Sequence, residues 1–188
     1  MQSIKNPCPN INLKTTSTRE IENIIKSLKP KNSSGYDGIS TKLMKICPPF
    51  ISSPSAHIYN KFFSTGIFPN YLKYAIVKPL FKKGNKNKIS NYRPISILIY
   101  FPKILDKVTY NHLQEHLNKQ GILAEEQFGF RADSTTNKTI YKLINETLNS
   151  KLIVGGIFFD LEKAFDCLKH GILLSKLQFY GVNGKANT

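Results

Sequence analysis

Two short β-prone runs, 75–81 and 92–100, stand in the middle of a chain whose apolar residues recur at helical spacing on either side of them. The first run reads Ala75-Ile76-Val77-Lys78-Pro79-Leu80-Phe81. Between the two lies Lys82-Lys83-Gly84-Asn85-Lys86-Asn87-Lys88, a polar stretch rich in turn formers. This pattern predicts a β-hairpin, 75–81 antiparallel to 92–99, whose tip carries four lysines. Pro79 has no N–H to give a ladder, which confines its strand to an edge or a bulge. With helices on either side of such a hairpin, the fold class is α+β.

Residues 1–16 have no periodicity and read as a loose, flexible arm. Ser17 with Glu20 fits a capping box, after which Ile21, Ile24, Ile25 and Leu28 share one helical face until Pro30. Asn32-Ser33-Ser34-Gly35-Tyr36-Asp37-Gly38 is an ordered loop of turn-forming residues. Helices are expected over 40–47, stopping before Pro48-Pro49, and over 54–65 with Ile58, Phe62 and Phe63 inward. Helical periodicity returns at 104–117 and 134–148. Residues 152–159 are a continuous apolar run, as in a strand buried on both faces, and 164–179 read as a helix.

A chain of 188 residues with 40% hydrophobic content can bury one sizeable core. Its net charge of +15 predicts attraction to a polyanion, nucleic acid before an acidic membrane surface. A merely basic, soluble protein is the plainer alternative. Cys8, Cys47 and Cys167 are odd in number and form no CxxC pair, so they read as free thiols in a reducing compartment. The polar N-terminus is no signal peptide, and no apolar run is long enough to span a bilayer. The expectation is a soluble, intracellular protein without a membrane partner. His112 and His116 stand four apart, but without the HExxH pattern they read as a solvated helix face. Gly181-Val182-Asn183-Gly184-Lys185 lacks the spacing of a phosphate loop.

Chemistry concentrates at Asp160, which ends the apolar run. A carboxylate held at the end of a strand can reach a divalent metal, as metal-assisted phosphoryl transfer requires. It can equally cap the following helix. The lysine-rich turn can be no more than a solvated loop, and Phe165 a core side chain.

The stretch Phe159-Asp160-Leu161-Glu162-Lys163-Ala164-Phe165-Asp166, with His170 four residues on, resembles the first catalytic motif of LINE-type, non-LTR retrotransposon reverse transcriptases. Four further motifs of that family precede it in the same order: Asn32 to Ser40, Pro79 to Gly84, Asn91 to Ser96, and Gln127-Phe128-Gly129-Phe130-Arg131 with Ser134-Thr135. The similarity is greatest to Jockey-like elements. It implies a fingers subdomain with its connecting helices over 17–150, the first strand and helix of a palm over 151–184, and a tail at 185–188. It also implies RNA-directed DNA polymerase chemistry on an RNA template and DNA primer, with deoxynucleoside triphosphates, Mg²⁺ and a nuclear location.

Residue by residue, the resemblance makes Asp160 the catalytic, metal-binding carboxylate and the Leu161 carbonyl a ligand of the same metal. Lys82, Arg93 and Arg131 would hold the incoming nucleotide, and Phe165 would be a steric gate against a ribose 2′-hydroxyl. Lys83, Lys86, Lys88 and Gln127 would face the template. Asp166 would be structural. The family's second catalytic motif, Tyr/Phe-Ala-Asp-Asp, has no counterpart here, because the sequence contains no Asp-Asp pair. The family's thumb and upstream endonuclease are likewise unmatched. The expectation is therefore a truncated or decayed copy, inactive alone, that self-associates through the exposed palm edge. A non-catalytic basic nucleic-acid-binding module and an unrelated metal-dependent phosphotransfer enzyme are the competing readings.

Overall fold

The first helix, α1 (Thr18–Ser27), starts where the Ser17 hydroxyl accepts the Glu20 N–H at 3.1 Å, the expected cap. Its apolar face buries Ile21, Ile24 and Ile25. In this computed structural model the described residues are 7–131, 134–150, 157, 159–161 and 164–184. Among them, helices are combined with one small antiparallel sheet. They fall into two compact units, 10–116 with 182–184 and the described part of 117–181 with 7–9.

In the first unit the loop at 32–38 closes through a bridge between Ser34 and Ser40. Gly38 is left-handed at φ +72°. Gly35 lies so close to Ile99 that an added Cβ would sit 2.7–2.8 Å from its Cγ2, Cα and N. The helix expected over 40–47 is a single turn, α2 (Thr41–Met44), capped by Ser40. The next helix, α3 (Pro48–Thr65), begins six residues earlier than its sequence suggests. Pro48 and Pro49 were expected to break structure, yet they occupy the first helical positions, where a missing N–H costs nothing. Gly66, at φ +74°, ends the helix.

The inward stripe of α3 is Ser52, Ser55, Ala56, Tyr59 and Phe63. Each residue turns a helix by about 100°, so this phase rotates Ile58 away from Tyr59 into solvent, contrary to expectation. Opposite lies α4 (Tyr100–Lys119), which buries Ile104, Leu105 and Val108 and then His112 and His116. Those histidines were expected on a solvated face. They sit one turn apart on the helix's inner stripe, and the His112 ring lies 5.5 Å from that of Phe63. The Tyr59 hydroxyl donates to the Phe101 carbonyl at 3.0 Å, linking α3 to α4. Residues 11–16 have no regular structure but are tied down. Thr16 and Asn60 exchange two hydrogen bonds, and Lys14 pairs with Glu115 at 2.7 Å.

The expected hairpin is present: β1 (Ala75–Phe81) pairs antiparallel with β2 (Tyr92–Leu98), Ala75 opposite Leu98 and Phe81 opposite Tyr92. Lys82, one residue beyond β1, donates its N–H to Asn91 at 2.9 Å. Hydrogen-bonded and non-hydrogen-bonded pairs alternate along an antiparallel ladder. Leu80–Arg93 and Lys78–Ile95 are therefore hydrogen-bonded pairs, whereas Pro79 and Pro94 face each other at a non-hydrogen-bonded pair. Two prolines thus sit mid-sheet at no cost to the ladder.

In the second unit, α5 (Thr136–Ser150) matches the periodicity of 134–148, and its apolar Ile140, Leu143 and Ile144 are exposed. The final helix, α6 (His170–Phe179), starts six residues later than expected. Ala164 to Cys167 form a turn, in keeping with the weak helix preference of Asp166 and Cys167. Most of the apolar run 152–159, and so the strand expected there, lies outside the described residues. The three cysteines are free. Among the described residues no helix is long and apolar enough to cross a membrane.

Candidate nucleic-acid interface

The hairpin tip is an ordered platform. The Asn91 side-chain amide donates to the Asn85 carbonyl at 2.8 Å, and the Asn85 carboxamide oxygen accepts the Asn87 N–H at 2.9 Å. Lys88 N–H reaches the Asn85 carbonyl, and the Tyr92 hydroxyl donates to the Lys86 carbonyl at 2.9 Å. Gly84, at φ +92°, leaves room for the Asn91 amide, which a Cβ there would meet at 2.8 Å. These bonds fix the backbone that carries Lys82, Lys83, Lys86 and Lys88, all of which are exposed, as is Arg93 on β2.

The five hairpin cations expected from the sequence are thus brought onto one ribbon, but they are not equivalent. Phe81 and Tyr92 form the last cross-strand pair, with ring centroids 5.5 Å apart. The Lys86 ammonium lies 5.8 Å from the centre of the Phe81 ring, on the side of the sheet that the odd-numbered β1 residues share. Lys82 and Arg93 belong to the other face, because side chains alternate along a strand and directly opposed residues share a face. Sequence reasoning passed over Lys78. The signal that could have found it is parity: Lys78 stands four residues before Lys82 in the same alternation.

The remaining candidates lie in the second unit. Arg131 spends one guanidinium N–H on the Ala124 carbonyl at 2.8 Å, bracing the loop that leads from α4 into the Gln127–Arg131 motif. The Gln127 side-chain amide is 3.5 Å from the Gly129 carbonyl, a weak contact within that loop. Between them Phe130 has φ +59°, a left-handed conformation rare for a bulky residue, and its ring is exposed. It stands edge-on to Phe165, with centroids 6.4 Å apart. Phe165 is 80% exposed on the turn before α6, so its ring is not buried in a core. Phe130 was missed because a backbone in this region leaves no mark on periodicity.

Asp160 and Leu161 lie in irregular, exposed backbone. A carboxylate and a main-chain carbonyl are hard oxygen donors of the kind Mg²⁺ takes. Among the described residues, however, no group of three or more His, Cys, Asp or Glu side chains is placed to hold a metal. Asp160 therefore offers one carboxylate rather than a complete donor set among the described residues.

Residues 81–187, more than half of the chain, match the model of the family described as reverse transcriptase (RNA-dependent DNA polymerase). The chain belongs to the reverse transcriptase family. Its relatives are non-LTR retrotransposon proteins. The probable RNA-directed DNA polymerase from transposon BS of Drosophila melanogaster is 31% identical over 180 residues, 90% of this chain and 20% of that protein. The RNA-directed DNA polymerase from mobile element jockey of the same fly is 28% identical over 87% of this chain and 18% of its own length. An uncharacterized 149 kDa protein of transposon TX1 from Xenopus laevis is 26% identical over 86% of this chain and 12% of its own. This reverse transcriptase chain spans about a fifth or less of the curated relatives it matches and is a partial reverse transcriptase domain.

Proposed function

We propose that this reverse transcriptase segment holds the template strand and the incoming nucleotide of an RNA-directed DNA polymerase. Residues 17–150 would serve as fingers with connecting helices, 151–184 as the start of the palm, and 1–16 and 185–188 as arm and tail. The observation that carries the proposal is the ordered, exposed hairpin tip with Lys82 and Arg93 on one face. An arginine's planar fork suits phosphate oxygens, and a rigid tip lowers the entropy lost on binding. In this reading Lys82 and Arg93 serve both the triphosphate and the template backbone, and Arg131 the triphosphate. Lys83, Lys86, Lys88 and Gln127 face the template, and Phe165, braced by the Phe130 edge, takes the sugar. The family's nuclear site of action belongs to the same proposal.

Reverse transcriptases work with divalent metal ions. Asp160 and the Leu161 carbonyl would hold Mg²⁺, which when bound supplies charge neutralisation at the transferring phosphoryl group. Asp160 is one carboxylate, and two-metal chemistry needs ions about 3.5–4 Å apart held by several. The 188 residues tested by themselves are therefore expected to bind a primed template without extending it.

The test combines two measurements on the purified chain. Fluorescence anisotropy on an RNA template annealed to a DNA primer should show affinity falling steeply with salt, through released counterions. Replacing Lys82, Lys83 and Arg93 together with Ala should flatten the salt slope by up to about one unit per lost contact. Affinity indifferent to salt and to the triple variant would refute the hairpin as the binding surface. Template-directed incorporation with Mg²⁺, abolished by Asp160→Asn, would refute the expectation that the chain binds without synthesis.

A further inference from the structure

The register of the hairpin sorts its cations in a way the linear sequence does not. Lys82 and Asn91 form the hydrogen-bonded pair beyond β1, so Lys82 continues the face that holds Lys78, Leu80, Arg93 and Ile95. Arg93 lies directly across from Leu80. It is therefore the diagonal neighbour of both Lys78 and Lys82, at about 7–8 Å from each. No cation on this face stands directly opposite another, because Leu80, Ile95 and Asn91 occupy the facing positions. Like charges directly opposed would be destabilising. This register gives three positive side chains one row without that cost. Lys78 and Arg93 are exposed, as are Leu80 and Ile95 between them.

The opposite face is different in kind. Val77, Pro79, Phe81, Tyr92, Pro94 and Ser96 carry no charge. Beside it the Lys86 ammonium lies 5.8 Å from the Phe81 ring centre.

We infer that the Lys78–Arg93–Lys82 face of the hairpin is a track for a single nucleic-acid strand, with Lys78 a phosphate-binding residue equal in weight to Arg93. The inference rests on the nucleic-acid reading above and deepens it. Same-face residues two apart on a strand are about 6.8 Å apart. A flexible phosphodiester backbone can follow that step, with each cation meeting a different phosphate and Leu80 and Ile95 lying against sugars and bases. A net charge of +15 supplies the complementarity to a polyanion. A compact anion such as a lone triphosphate would engage Lys82 and Arg93 and leave Lys78 idle, so Lys78 distinguishes a strand from a nucleotide. Lys86, over the Phe81 ring on the other side of the ribbon, lies off this row.

The test is anisotropy of a fluorescent single-stranded oligonucleotide with the full 188-residue chain, across a salt series. Each phosphate contact on a single strand adds about 0.7 to the slope of log K against log salt. Lys78→Ala and Arg93→Ala should each lower the slope by about that amount, Lys78→Arg should restore it, and Lys26→Ala, on α1 and ion-paired with Glu22, should leave it unchanged. If the wild-type chain binds with a salt-dependent slope but Lys78→Ala matches wild type, the track is overturned while the nucleic-acid reading stands. The track is equally overturned if Lys26→Ala costs as much as Lys78→Ala. If the wild-type chain shows no salt-dependent binding, the broader reading falls and the track with it.

Discussion

Gly35→Ala is expected to destabilise the first unit through a single steric conflict. A Cβ at Gly35 would stand 2.7 Å from the Ile99 Cγ2 and 2.8 Å from the Ile99 Cα and N, closer than real Cβ atoms come. Two of the three atoms are main chain, so no rotamer change relieves the clash. Ile99 is 2% exposed and sits between β2 and α4, where the ladder on one side and the helix on the other resist a shift. Overpacking of this sort costs about 1–3 kcal/mol, and a rigid main-chain neighbour puts this case toward the upper end. Replacing glycine also removes unfolded-state freedom, which returns roughly 0.4–1 kcal/mol. The net loss is about 1–2 kcal/mol, to be read from urea unfolding followed by circular dichroism. Gly38 in the same loop is the control. Nothing lies within 4 Å of its added Cβ, but its φ of +72° is left-handed, so Gly38→Ala should cost about 1–2 kcal/mol from backbone strain alone and Gly38→Asn less. Ile99→Ala should rescue little of the Gly35→Ala loss. A Gly35→Ala variant within about 0.5 kcal/mol of wild type, or one fully rescued by Ile99→Ala, would refute the close-approach argument.

Three further outcomes are expected. Tyr100 is 1% exposed, its hydroxyl finds no partner among the described residues, and burial pushes its pKa up to about 12 from 10.0. The folded state thus holds this proton longer than the unfolded one, and stability should fall as pH rises from about 10 towards 12. Tyr100→Phe should shrink that alkaline loss and leave neutral-pH stability equal or higher, as thermal melts across the pH series would show. Ser17→Ala removes the α1 cap and should cost about 1 kcal/mol by urea titration. Ile157 and Phe159 are 84% and 88% exposed; we propose that they mediate self-association, so light scattering should show association of the wild-type chain and less of it after the double change to Asn. An unchanged mass distribution would move the association surface elsewhere.

The hairpin and the helices α1, α4 and α5 were legible because their determinants are local. A cap, a 3.6-residue period and a lysine-rich turn between β-prone runs each act within a few residues. Other features depend on neighbours distant in sequence. Pro48 looks like a breaker until it is seen to start a helix, and Ile58 looks inward until the packing of Ser52, Ser55 and Ala56 sets the phase of α3. His112 and His116 read as polar surface, but the stripe they extend faces the core. Among candidate site residues, motif order drew attention to Lys82, Arg93, Asp160 and Phe165. Lys78 became visible only with the strand register, and Phe130 only with its backbone angle.

The facing prolines of the hairpin bear on what the ribbon can recruit. At a non-hydrogen-bonded pair each residue turns its nitrogen away from its partner, towards the outer margin of its own strand. Pro79 and Pro94 therefore leave both margins one donor short at their midpoint. A seven-residue, solvent-exposed strand would ordinarily invite a stray peptide or a second copy to zip alongside. Here any such guest would meet a gap, and a bulky ring, in the middle of its run of hydrogen bonds. The ribbon can thus stay long, exposed and charged for a polyanion while remaining closed to another β-strand.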